Sequence, residues 1–91
     1  MDEVKELKLP ADQQLEGNVI AQYCIEKFVS MVNEAAQEYS IVGIYQALGY
    51  LWGLKDSNTV RSAYAITLNK QICNLYLNDR GWITEAIKRG F

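Results

Sequence analysis

The chain has 91 residues, 49% of them hydrophobic and 22% charged, with a formal net charge of −2; this suits one domain and is too apolar for a disordered chain, although a fold of this size hides only about 60–65% of the surface its unfolded chain exposes. It contains no histidine, which removes the commonest general base, triad partner and transition-metal ligand together and leaves any Ser or Cys nucleophile without an imidazole to activate it. With no Gly-rich loop ending in Lys-Ser/Thr and no calcium-loop acid spacing, the residues carry no signature of catalysis, metal, nucleotide or cofactor, and a non-enzymatic protein is expected.

Residues 1–10 interleave acids and lysines with Val4, Leu7 and Leu9 and close on Pro10, which reads as an N-terminal arm ahead of a single helical domain over residues 11–91. Residues 1–9 hold five charges and no apolar stretch, unlike a signal peptide. The longest uncharged run, residues 39–54, is sixteen residues long, short of a membrane span and interrupted by Ser40, Gln46 and three glycines. A soluble, cytoplasmic protein is expected. Cys24 and Cys73 lie far apart inside apolar patterns without a CxxC, and read as buried, reduced thiols.

The first helix is expected to start at Asp12 as N-cap and to run for roughly 25 residues. Its apolar positions, Leu15, Val19, Ile20, Tyr23, Cys24, Phe28, Met31, Val32, Ala35 and Tyr39, recur every one, three or four residues and mark one broad stripe. Residues 41–54 (IVGIYQALGYLWGL) form a second helix that is apolar on every side, with a strand over residues 40–45 as the competing reading. A helix without a polar face is central in a core or covered by another chain. Gly43, Ala47, Gly49 and Gly53 supply small positions along it, of the kind that let another backbone approach closely. Residues 55–58 are a loop in which Asp56 or Ser57 caps a third helix, whose stripe is Val60, Ala63, Tyr64, Thr67, Leu68, Ile72, Leu75 and Tyr76. Gly81 is placed to terminate that helix in the left-handed conformation, and Trp82, Ile83, Ala86, Ile87 and Phe91 then share one face of a short last helix. The expected fold is a small all-α, four-helix domain with a long first helix, an apolar central helix and a short C-terminal helix.

Charge is unevenly spread: eight acids against three lysines in residues 1–38 leave −5, and six bases against three acids in residues 55–91 leave +3. The acidic first helix is expected to pack beside the basic helices and largely cancel the two fields. Residues 48–54 followed by residues 57–63 resemble the helix-turn-helix DNA-reading unit, with Gly53 at the turn and Val60 at the buried position of the second helix. The resemblance implies a dimeric regulator reading bases with an outward face of Ser57, Asn58, Arg61, Ser62, Ala65 and Asn69, and touching phosphates with Lys55, Lys70 and Arg80. It departs from that family in its longer turn, its wholly apolar first helix and its acidic balance.

The leading expectation is instead a protein–protein interaction module. It is a homo-oligomer, or a small inhibitor or adaptor of the kind common among phage accessory proteins, working by occluding a surface. Six Tyr, two Trp and two Phe in so short a chain exceed what the fold can hide, and aromatic side chains anchor interfaces. Tyr45, Tyr50, Trp52, Trp82 and Phe91 are the expected anchors, with no membrane or metal partner. A small-ligand pocket between helices is a third, lesser reading.

Overall fold

The computed structural model describes Leu7, Leu9 and residues 17–90. Among these the protein is all-α, with four helices and no strand. Asp12, Leu15, Phe91 and all of residues 1–10 but Leu7 and Leu9 lie outside the described residues.

α1 is Val19–Glu38, twenty residues and the longest of the four. Its N-cap is Asn18, in extended backbone, whose side chain accepts the Ala21 N–H at 3.0 Å. The described helix therefore begins after Asn18 rather than at Asp12. The buried face is Ala21, Ile25, Phe28, Val32 and Ala35, a stripe of strict three- and four-residue steps. The expected stripe holds only from Phe28 onward, because Val19, Ile20 and Tyr23 point into solvent. Ala21 and Ile25 take the inward positions there, and the core simply lies on the other side of the first turns.

α1 ends in a Schellman motif: Ser40 N–H reaches Ala35 O at 2.9 Å and Tyr39 N–H reaches Ala36 O at 3.3 Å. The left-handed position that glycine usually fills is here Tyr39, at φ 54°. For an L-residue this conformation costs about 1–2 kcal/mol, and its compensation lies in what the ring touches. Ser40 at once caps α2, Ile41–Asp56, its Oγ accepting the Gly43 N–H at 2.9 Å. The competing strand over residues 40–45 does not form. So tight a joint throws α2 back along α1, and a Cβ on Gly43 would stand 2.7 Å from the Ala35 Cβ. At this position the glycine is required by the close approach of the two helices.

α2 buries Ile44, Ala47, Leu48, Leu51 and Leu54. It runs three residues past Gly53, so Asp56 is its last residue and Ser57 its C-cap, with Asn58 left-handed at φ 62°. Neither Asp56 nor Ser57 caps the next helix. α3, Ser62–Ile72, starts from an extended Arg61 that makes no side-chain cap. Its apolar residues Tyr64, Leu68, Ile72 and Tyr76 are spaced by four rather than 3.6, and all are buried. The helix meets that spacing by widening into a π turn over Cys73–Leu77, closed by Asn78 N–H on Cys73 O at 2.7 Å. Ala63 and Thr67 of the expected stripe are exposed, and Ala65 is buried in their place.

α4, Arg80–Lys88, is capped by Asp79, whose carboxylate accepts the Trp82 N–H at 3.1 Å. Gly81 is thus inside the first turn of α4 and not a left-handed terminator. Helices adjacent in sequence pack on one another, α1 on α2, α2 on α3, and α4 on the end of α3, around one core that includes Phe28, Ile44, Leu51, Leu68, Ile72 and Trp82. Leu7 rests against that core. The acidic first helix lies mainly along neutral α2, so the expected side-by-side cancellation with the basic helices is not how the elements are arranged.

Candidate functional site

The rings divide into two groups. At the closed end, Trp82 is 6% exposed, stacked on Tyr39 (centroids 5.8 Å, 24° between planes) and tilted against Tyr76 at 5.2 Å. Arg89 covers the other side of Tyr39, its Cζ 4.5 Å from the ring centre, and pairs with Glu85 at 3.0 Å. The indole N–H of Trp82 is buried without an acceptor among the described residues, so packing rather than hydrogen bonding holds this ring. Trp82 is therefore a core residue, not the exposed anchor expected from the sequence. The reason is the α1–α2 joint, which delivers Tyr39 as a lid. Phe91, the other terminal anchor, lies outside the described residues.

The open face is formed by α1 and α2. Tyr45 is 59% exposed, as expected, and Val42 54%. Tyr50 and Trp52 are half-buried, each with a lysine over its ring: Lys27 Nζ 5.8 Å from the Tyr50 centre, and Lys55 Nζ 4.6 Å from that of Trp52. The Tyr50 hydroxyl is pushed above the ordinary phenol range, first by loss of water, then by its hydrogen bond to Cys24 and the proximity of Cys24 and Tyr23. Cys24 and Cys73 are unpaired, as expected, but half-buried rather than buried. Val19, Ile20 and Tyr23 extend the apolar surface along α1 and are the most exposed large hydrophobics described. Sequence reasoning missed them by assigning them to the core. The available signal was the alternative stripe Ala21–Ile25–Phe28–Val32–Ala35, with Asn18 ahead of it as a cap.

Two further features complete this face. Gly49 and Gly53 lie in the interior of α2 on its outer side, and a Cβ added to either meets nothing within 4 Å. Each costs about 1 kcal/mol relative to Ala in a helix interior, and among the described residues no close approach accounts for them. Beside them an open cleft of about 200 Å³ runs between the helices, lined by Met31, Glu34, Glu38, Ser40, Gly43 and Gln46. Along the outer side of α2, from Val42 to Gly53, no residue is charged.

The helix-turn-helix candidates are arranged differently from that unit. Gly53 is within α2, the connection is residues 57–61, and Val60 is buried in that connection rather than in the second helix. Ser57, Asn58, Arg61 and Ser62 are exposed at one loop, Asn69 is half-buried two turns on, and Ala65 is fully buried. Ser57 Oγ is engaged locally, 2.8 Å from Thr59 Oγ1 and 3.2 Å from Leu54 O. Of the phosphate candidates, Lys55 is committed to Trp52 and Asp56, while Lys70 and Arg80 are exposed elsewhere on α3 and α4.

Among the described residues no three His, Cys, Asp or Glu side chains converge as a metal site, and no helix is long and apolar enough to cross a membrane. No protein-family model, curated protein or solved structure matches this chain.

Proposed function

We propose that this chain is a non-enzymatic protein–protein interaction module that acts by occluding or bridging a surface through the open face of α1 and α2. One observation carries the reading: Val19, Ile20 and Tyr23 on α1 and Val42 and Tyr45 on α2 stand more than half exposed, with Tyr50 and Trp52 half-buried on the same pair of helices. Large apolar side chains left uncovered in this number on neighbouring helices favour a partner site over a bare surface. Tyr rings add area at low entropic cost and keep a hydroxyl for the wet rim. Tyr45, Tyr50 and Trp52 are the anchors retained from the sequence, and Tyr23 joins them.

The test is the mass of the purified chain by light scattering, together with recovery of complexes by affinity purification. A mass above the 10.4 kDa of one chain, or a stoichiometric complex weakened by Tyr45→Glu, supports the module. A strictly monomeric protein that recovers no partner ends it.

A further inference from the structure

We propose that the occupant of the α1/α2 face is a second copy of this chain, docked antiparallel about a two-fold axis that passes between Gln46 and Gly49. The proposal rests on the interaction-module reading and names its partner.

The argument begins with the uncovered glycines. A two-fold contact is isologous, so each residue meets a counterpart on the reversed element. Reversing α2 about a point midway between Gln46 and Gly49 sets Gln46 opposite Gly49 and Val42 opposite Gly53. Two side chains then enter the two positions that have none, where an added Cβ finds open space. Tyr45 comes within a turn of the partner's Trp52, so the exposed ring of Tyr45 and the half-buried ring of Trp52 both gain cover. The glycines that serve no contact within one copy become the sites of closest approach between two.

The charges on α1 are complementary about the same axis. Within one copy the hairpin places Ala35 level with Gly43 and Lys27 level with Tyr50. The point midway between Gln46 and Gly49 is therefore level with Ser30. Reversal about that point brings Lys27 within a residue of Glu34 and Tyr23 within a residue of Glu38, each pair occurring twice. Lys27, Glu34, Glu38 and Tyr23 are all exposed, with the base toward one end of this edge and the acids toward the other. Such an edge repels a parallel copy and attracts an inverted one. Glu34 and Glu38 also line the open cleft, so the partner's Tyr23 ring enters it with a phenol donor facing carboxylate acceptors. A foreign partner needs no agreement between the axis set by α2 and the axis set by α1. Self-docking does, and the charge pairs on α1 fall within a residue of the axis set by α2.

The experiment is light scattering and sedimentation of the full chain over a concentration series, with four variants. The parent is expected to titrate to twice the monomer mass. Gly49→Leu and Gly53→Leu fill the gaps without meeting any internal atom and raise helix propensity, so both fold, which circular dichroism checks; each is expected to weaken the dimer at least tenfold. Lys27→Glu is expected to weaken it similarly, and Lys27→Glu combined with Glu34→Lys to restore it. A monomer at every concentration overturns the proposal, as does a dimer indifferent to both leucines or a double swap that fails to restore. A monomer that forms a stoichiometric complex with a foreign protein, lost on Gly53→Leu, overturns the dimer alone. A monomer that forms no complex overturns the interaction module with it.

Discussion

The two ends of the α1–α2 hairpin use the same residue types to opposite ends. At the joint, Tyr39, Tyr76 and Trp82 close on one another and Arg89 caps the stack; along the open face, Tyr23 and Tyr45 meet solvent. Gly43 is pressed against Ala35, whereas Gly49 and Gly53 face empty space. The difference is not in the side chains but in whether another element crosses them. α4 folds back over the joint because Asp79 caps it there and the π turn aims Tyr76 inward. No later helix returns across the outer side of α2. Aromatic content therefore marks interface only where topology leaves a ring uncovered.

The comparison breaks most easily at the closed end. Trp82→Ala is expected to cost about 3–5 kcal/mol, the range for truncating a large buried ring, read as a loss of urea midpoint. The strained Tyr39 would lose its support with it. A cost below about 1 kcal/mol would mean that Trp82 is not a core residue. Gly43→Ala comes next, at about 1–3 kcal/mol, because neither Ala35 nor the Ser40 cap can yield without separating the helices. Gly53→Ala should do the reverse and stabilise by about 1 kcal/mol through helix propensity alone, when measured dilute enough to hold single copies apart. If the two glycine variants shifted stability in the same direction, the distinction between a packed and an open glycine would be lost.

Much of this architecture is legible in the sequence. Periodicity finds the helices because amphipathic burial sets it, and the second half of α1 and the Tyr64, Leu68, Ile72 and Tyr76 face of α3 follow from it, whereas α2, apolar on every side, offers no face to choose. Caps are less legible, since several residues compete for each end. Asp12 reads as the N-cap, whereas the described helix uses Asn18. Ser57 reads as the start of α3 but ends α2, because α2 continues through Gly53 once its apolar inner face is satisfied by Leu54. Gly81 reads as a terminator, yet Tyr39 and Asn58 take the left-handed positions, since ring stacking compensates at the first and the short polar side chain tolerates the second. The candidate site was half visible. Tyr45, Tyr50 and Trp52 emerge from a helix that is apolar all round, but Trp82 is misplaced because nothing local says that Tyr39 will cover it. Val19, Ile20 and Tyr23 belong to a stripe that competes over the same turns with Ala21 and Ile25, and it is the latter that is buried.

A smaller effect sharpens the comparison through pH. Burial raises the hydroxyl pKa of Tyr76 at the closed end and, with Cys24 and Tyr23, that of Tyr50 on the open face. An acid whose folded pKa lies above its unfolded one binds more protons when folded, so stability falls as pH rises through that interval. The contribution is complete below about pH 10, the ordinary phenol value, and is lost progressively above it. Tyr76→Phe is expected to flatten the fall in urea midpoint from pH 10 upward, and Tyr50→Phe to flatten it less if solvent still screens the open face. Equal effects would make the two rings equivalent and the open face closed.

The smallest expected effect is the most discriminating. Tyr45→Ser removes the same ring that Tyr39 and Tyr76 carry at the closed end, yet Tyr45 is 59% exposed and takes no part in the core. Surface substitutions of this kind stay within about 0.5 kcal/mol, so the urea midpoint of dilute protein should barely move. The same substitution removes a central anchor of the proposed interface, where a ring that is covered on docking contributes well beyond that. Stability unchanged and association weakened is the pairing expected of a residue held in reserve for a partner. A large loss of stability from Tyr45→Ser in single copies would show that the ring already has its cover within the fold.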